Sequence, residues 1–162
     1  KLEQSILVFY MWFGNWMFFT NMTEIIIKAK PSDAKKIIRL FNQTKYLADE
    51  HVGNSAYYDL SDGREYMKRA ETYLYKIDKK VVGFVMIFFN GQYFTKFLAV
   101  DAKYHRRGIG QKLLVLAEQR AKKRGVKYAE SLTMSSNKKI AGLLKKNGYM
   151  RGATNYFWYK KL

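Results

Sequence analysis

Val100-Asp-Ala-Lys-Tyr-His-Arg-Arg-Gly-Ile-Gly-Gln-Lys-Leu-Leu114 is the stretch whose reading decides the fold. The apolar run Phe97-Leu98-Ala99-Val100 leads into it and predicts the end of a buried strand. A polar connector follows from Asp101 to Arg107. Gly108-Ile109-Gly110 then opens a segment of helical period, with Ile109, Leu113, Leu116, Ala117 and Ala121 on one face. Gln111, Lys112, Glu118, Gln119 and Lys122 fall on the other. Strand, glycine-bearing turn and helix start form an anion-binding arrangement. The first helical turn has N–H groups without an intrahelical acceptor, and the macrodipole is positive there. Glycines let an anion approach the main chain, and Arg106 and Arg107 add two permanent charges. The spacing is not the dinucleotide fingerprint, because Leu113 holds the third glycine position. It is not a P-loop either, because no Gly-Lys-Ser/Thr follows.

Composition bounds the rest. A chain of 162 residues with 48% hydrophobic side chains suits one globular domain with a real core. The absence of cysteine excludes disulfides, thiolate nucleophiles and Cys-ligated zinc. His51 and His105, the two histidines, have no metal-ligand spacing, so no metal is expected. The net charge of +17 asks for an anionic partner. Nucleic acid, an acidic membrane surface and a phosphorylated co-substrate all qualify. Lysines are spread over the whole sequence, so solubility or composition bias explains much of the excess, and a nucleic-acid partner is not the expectation.

Residues 1–22 stand apart. Ile6–Phe13 and Trp16–Phe19 flank Gly14-Asn15 in an aromatic run shorter than the ~20 residues that span a bilayer. The run also lacks the flanks of a secretory signal, so no transmembrane span and a cytoplasmic protein are expected. An extra hairpin, an interfacial or protein-contact patch, and an extension outside the native domain all fit it. The expected division is an N-terminal appendage over 1–22 and a single domain over 23–162.

Thr23–Lys30 reads as a β-branched strand, and Pro31-Ser32-Asp33 starts a helix with Ile37, Ile38, Leu40 and Phe41 as its apolar side. Tyr46–Ala70 has no clean period and contains Asp49-Glu50-His51. A short helix is expected over Arg64–Glu71. Thr72–Ile77 and Val81–Phe89 predict a strand pair, and the second, apolar at nearly every position, belongs mid-sheet. Asn90-Gly91 predicts a hairpin turn into Tyr93–Val100. The helix after Gly108 should stop at Gly125, with another strand over Lys127–Met134. Asn137 opens a short amphipathic helix with Ile140, Leu143 and Leu144 on its apolar side, ended by Gly148. Tyr156–Tyr159 reads as a terminal strand.

Leu-x-Val, a connector with Tyr, and Arg-Arg-Gly-Ile-Gly-x-x-Leu-Leu together resemble motif A of the GNAT family, the Gcn5-related N-acetyltransferases. Asn137, Leu143, Gly148 and Tyr149 resemble motif B of the same family. The resemblance implies an α/β (α+β) fold with a mixed, mostly antiparallel twisted sheet of about six to seven strands flanked by about four helices. It implies an N-acetyltransferase that moves an acetyl group from acetyl-CoA, as co-substrate, directly to a primary amine. The acceptor could be a protein N-terminus, a lysine or a small-molecule amine. The alternative is a catalytically impaired module of the same fold that binds CoA or nucleic acid. A homodimer is left open.

The resemblance also assigns roles. The loop His105, Arg106, Arg107, Gly108, Ile109, Gly110 and Gln111 would hold the pyrophosphate through main-chain amides. The strand edge Leu98, Ala99 and Val100 would pair with the pantetheine arm, and Asn137 would contact it. His105 stands where the family usually has Gln or Arg. Leu144 occupies the position of the usual tyrosine general acid. The strand that commonly carries a glutamate offers none here, so Glu130, Glu50 and His51 are the candidate bases.

Overall fold

The computed structural model describes residues 22–43, 63–131, 133 and 137–152. Two compact units are formed by residues 1–131 and 132–162. The first unit is built on five strands: β1 (Glu24–Lys28), β2 (Glu71–Ile77), β3 (Lys80–Asn90), β4 (Tyr93–Val100) and β5 (Tyr128–Ala129). They lie in the order β1-β2-β3-β4-β5, with β1 to β4 antiparallel and β5 parallel to β4. Its helices are α1 (Ala34–Gln43), α2 (Gly63–Arg69) and α3 (Ile109–Lys123), and α4 (Lys138–Lys146) belongs to the second unit. The mixed, mostly antiparallel sheet is the expected one.

Five strands stand among the described residues where six to seven were expected. The expected terminal strand at 156–159 and all but Met22 of the 1–22 appendage lie outside the described residues. Of the strand expected over Lys127–Met134, the described residues form Tyr128–Ala129, with two register pairs to β4.

β3 is central because it has no polar face. Val81 to Ile87 are all buried. On one side Phe84 and Met86 pack with Ala99 of β4 and with Ile37, Leu40 and Phe41 of α1. On the other, Val82, Val85 and Ile87 pack with Ile109, Leu113, Ala117 and Ala121 of α3. The register with β2 steps from Tyr75↔Gly83 to Lys76↔Val81, so Val82 is an extra residue, a β-bulge. The bulge turns Val82 and Gly83 together towards α3. A Cβ at Gly83 would lie 3.2 Å from Leu113 Cδ1 and 3.3 Å from both Ile109 Cγ2 and the Ala99 carbonyl oxygen. The missing side chain lets the helix settle on the strand.

The element ends follow from local chemistry. Pro31–Asp33 forms a 3-10 turn into α1, with Asp33 Oδ2 accepting from the Lys30 N–H at 3.1 Å. α3 closes with the Val126 N–H donating to the Ala121 carbonyl at 3.1 Å past Gly125 at φ +71°. The β3–β4 turn is shifted by one residue from the expected Asn90-Gly91. Asn90 pairs with Tyr93, and the loop is Gly91-Gln92, because Gly91 takes the left-handed position at φ +59°.

Glu71 clamps α3 to the sheet from the far end. Its carboxylate accepts from Arg120 Nε at 2.9 Å, from Tyr73 at 3.1 Å and from Arg124. Burial pushes its pKa up, but these hydrogen bonds outweigh that and lower it to about 2. A depressed carboxylate stabilises the fold above its unfolded pKa and loses that contribution as pH falls through the folded value. Acid titration from pH 4.5 to about 2 should therefore destabilise the wild type more steeply than Glu71→Gln, as read by circular dichroism. Gly83→Val forces a side chain against Leu113, Ile109 and the β4 carbonyl, and should cost about 2 kcal/mol in urea unfolding.

Candidate active site

The turn after β4 is held open by its own backbone. The Asp101 N–H donates to the Val82 carbonyl at 2.8 Å, and the Asp101 carboxylate accepts from the Lys103 N–H at 3.0 Å. Ala102–Tyr104 makes a 3-10 turn. His105 Nε2 lies 2.9 Å from the Val100 carbonyl oxygen, tying the connector back to the strand end. Arg106 sits at φ +63° and Gly108 at φ +75°. A left-handed arginine costs roughly 1 kcal/mol, and such strain gathers at ligand-binding loops. The first intrahelical bond of α3 runs from the Lys112 N–H to the Gly108 carbonyl at 3.0 Å. The amides of Ile109 and Gly110 therefore precede the helical ladder. A Cβ built at Gly108 would meet no atom within 4 Å, so the loop has open space on that side.

Charge is distributed unevenly around this loop. Lys112 is committed to the sheet, donating to Glu24 at 2.8 Å and to the Tyr75 hydroxyl at 2.9 Å, and Tyr75 donates to Glu24 at 2.5 Å. The Lys112 bond, then the Tyr75 bond, hold the Glu24 carboxyl below its ordinary range. Arg107 stacks its guanidinium 5.2 Å from the Tyr104 ring centre, and Lys80 lies 5.2 Å from the same ring. Arg106 and Arg107, both exposed, are the cations contributed by the loop itself.

β4 and β5 form a fork. Tyr93 pairs with Tyr128 and Phe94 with Ala129, the Glu130 N–H donates to the Phe94 carbonyl at 2.9 Å, and there the pairing ends. Main-chain groups alternate sides along a strand. The Gln92 and Phe94 carbonyls face β5, so the polar groups of Lys96, Leu98 and Val100 point the same way, past the fork. Among the described residues no strand pairs with that edge. The Leu98 N–H thus lies on an edge leading to the Gly108 turn.

Leu98, Ala99, Val100, His105, Arg106, Arg107, Gly108, Ile109, Gly110 and Gln111 follow one another along this edge and turn. The Ala99 side chain points into the core beside Phe84 and Met86. Glu130, exposed, sits at the opening of the fork. Asn137 caps α4, its Oδ1 accepting from the Ile140 N–H at 3.2 Å. Leu144 is largely buried on α4. Glu50 and His51 lie outside the described residues.

Sequence reasoning passed over Lys96. It projects to the α3 side of β4, its ammonium 3.5 Å from the Glu130 carbonyl oxygen and 5.3 Å from the Phe94 ring centre. Burial lowers its pKa to about 8, against the pull of Glu118 on α3. A lysine in an apolar strand, in step with Phe94 and Leu98, was the available signal.

The sequence profile of the acetyltransferase (GNAT) family matches residues 34–149, spanning the glycine turn, the fork and α4. The chain belongs to this family. Acetyl-CoA is therefore its acyl donor by family. Solved structures of GNAT acetyltransferases share the fold. The PaiA N-acetyltransferase of Thermoplasma acidophilum, in complex with coenzyme A, aligns with a TM-score of 0.74 at 19% identity over 83% of this chain and 94% of its own. A ribosomal-protein-alanine N-acetyltransferase of Brucella melitensis gives 0.69 at 14% identity over 85% and 100%. The aminoglycoside N-acetyltransferase AAC(6')-Iy, in complex with CoA, gives 0.67 at 13% over 90% and 100%. No curated protein matches the chain. No described helix is long and apolar enough to cross a membrane, and no metal-binding group is found among the described residues.

A lysine whose folded pKa is depressed binds fewer protons folded than unfolded between the two values, so stability rises with pH there. Relative to Lys96→Met, the wild type should gain stability from about pH 8 to 10.5 and show no such trend below pH 7. Parallel urea titrations measure the difference.

Proposed function

We propose that this GNAT protein transfers the acetyl group of acetyl-CoA directly to a primary amine. The single observation that carries the reading is the left-handed turn at Gly108, with the Ile109 and Gly110 amides ahead of the α3 ladder, directly beyond the end of β4. A diphosphate seated on those amides, between Arg106 and Arg107, gains hydrogen bonds and the positive helix end together. The pantetheine arm then has the β4 edge to run along, as an added strand would. The Leu98 N–H lies where a thioester oxygen gains charge as the amine adds, so it stabilises the tetrahedral state more than the ground state. No cysteine exists to form an acyl-enzyme, which agrees with direct attack.

Glu130 is the base this reading selects. It follows β5 directly, at the opening of the fork, and its main chain is fixed by Phe94 and Lys96. A carboxylate there takes the ammonium proton, directly or through one water. The chemistry breaks the C–S bond of the thioester and forms the amide C–N bond. The thiolate leaves with no tyrosine at position 144 to protonate it.

Two measurements test this. Acetyl-CoA should bind the wild type in calorimetry, and Gly108→Val should weaken binding by about 10-fold or more, because the turn needs positive φ. Glu130→Gln should lower kcat by about 100-fold with the KM for acetyl-CoA unchanged. Binding without thiol release across a broad amine panel would leave a CoA-binding module, and no binding at all would remove the reading.

A further inference from the structure

At the closed end of the fork sits a lysine to which the transfer chemistry above gives no role. Lys96 lies on β4 between Phe94 and Leu98, in the row that faces α3. Pairing with β5 ends beside it. The Glu130 N–H donates to the Phe94 carbonyl at 2.9 Å, and the Lys96 ammonium lies 3.5 Å from the Glu130 carbonyl oxygen. That oxygen is a main-chain group of the segment leaving β5. The amine, carried out on the α3 face, is therefore drawn back to the gap where the two strands part. On its way it passes the Phe94 ring, with 5.3 Å from the ammonium to the ring centre.

The order along the edge decides what this amine meets. Val100, Leu98 and Lys96 turn their main-chain groups to the fork in succession, counted from the end next to the Gly108 turn. A donor with its diphosphate at Gly108 and its arm on β4 passes Val100 first and Leu98 second. Lys96 is next and last, because Phe94 is already paired with Ala129 of β5. Alternate residues of a strand are roughly 6–7 Å apart, and lysine carries its amine on a flexible four-carbon stem. An acyl carbon whose oxygen rests on the Leu98 N–H is thus within the swing of Nζ. The amine must also be neutral to attack. A lysine of pKa ~10.4 is neutral in about 1 molecule in 250 at pH 8. Burial brings Lys96 to about 8, against the pull of Glu118 on α3, so about half of it is neutral there.

We propose that Lys96 is itself an acetylation site, its Nζ taking the acetyl group of acetyl-CoA seated in the same chain. This rests on the acetyl-transfer reading above. The Nζ lone pair adds to the thioester carbonyl carbon, the C–S bond breaks and an amide C–N bond forms. One amine hydrogen stays on the amide nitrogen, and the other leaves as a proton to the thiolate, which departs as the free thiol of CoA. The full chain, incubated with acetyl-CoA and no added amine, should acquire an acetyl group at Lys96 about 10-fold or more faster than at exposed lysines such as Lys35 and Lys123, as mapped by peptide mass spectrometry. The Lys96 rate should level off above about pH 8, while theirs climbs to about pH 10. Gly108→Val should slow labelling of Lys96 by acetyl-CoA about 10-fold and leave its labelling by acetyl phosphate, which has no arm to follow β4, unchanged. Excess free coenzyme A should protect Lys96 of the wild type from acetyl-CoA. Labelling by acetyl-CoA that ignores both Gly108→Val and free coenzyme A is solution chemistry and overturns the proposal. Acetyl-CoA that binds in calorimetry without marking Lys96 also overturns it, and turnover of added amines in the same sample shows acetyl transfer intact. No binding of acetyl-CoA overturns both.

Discussion

Everything at the site depends on α3 lying flat on the sheet. Ile109, Leu113, Ala117 and Ala121 bury one stripe of the helix against β2, β3 and β4, and the bulge at Val82 together with Gly83 makes the groove for it. Ile109 is both the first helical residue and a core residue, 1% exposed. Core packing therefore fixes where the first turn begins, directly beyond the end of β4. A helix start is a common anion site. One anchored by its own first side chain is a rigid one, so the amides of that turn are held in place before any anion arrives. Lys112 to Glu24 and Arg120 and Arg124 to Glu71 hold the same helix at its two ends.

Much of this was legible because the relevant signals are local. The period of 3.6 from Ile109 to Ala121 names the packed stripe, and the glycines at 108 and 125 bracket it. Val81 to Ile87, apolar throughout, could only be a strand covered on both faces, and it is the middle one. The bulge was not legible, because Val82 and its neighbours read the same whether paired or extra. The fork was not legible either. Lys127 to Met134 looks like a full strand, and its departure from β4 after Ala129 is a property of two chains side by side. Lys96 and the Tyr93–Tyr128 pair belong to the same class, since their meaning comes from what lies across the strand.

The charge excess takes a different form in three dimensions from its form in the composition. Asp33, Glu24, Glu65 and Glu71 are each bonded to a lysine or arginine, and Asp78 and Asp101 accept main-chain N–H groups of Thr23 and Lys103. These acids act as fasteners. Lysine and arginine outnumber the acids 30 to 13, and most of those among the described residues are exposed, which leaves the surface field positive. A phosphorylated co-substrate such as the family's acetyl-CoA would gain from that field.

Leu144 in place of a tyrosine acid weighs less than it first suggests. A thiol has a pKa near ~8.5, so expelling an unassisted thiolate near pH 7.5 costs about 1.4 kcal/mol relative to the protonated product. Removing a proton from a lysine-like ammonium of pKa ~10.4 at that pH costs about 4 kcal/mol, and from an α-amine near ~8 under 1 kcal/mol. The step that needs help is proton removal, the role proposed above for Glu130. On that proposed reading the base matters most once the amine has added: taking the proton from the zwitterionic intermediate makes thiolate the group that departs, and the need is greatest for amines of lower basicity, which are themselves the better leaving groups. Amines that carry electron-withdrawing neighbours, as α-amines and sugar amines do, belong to that class.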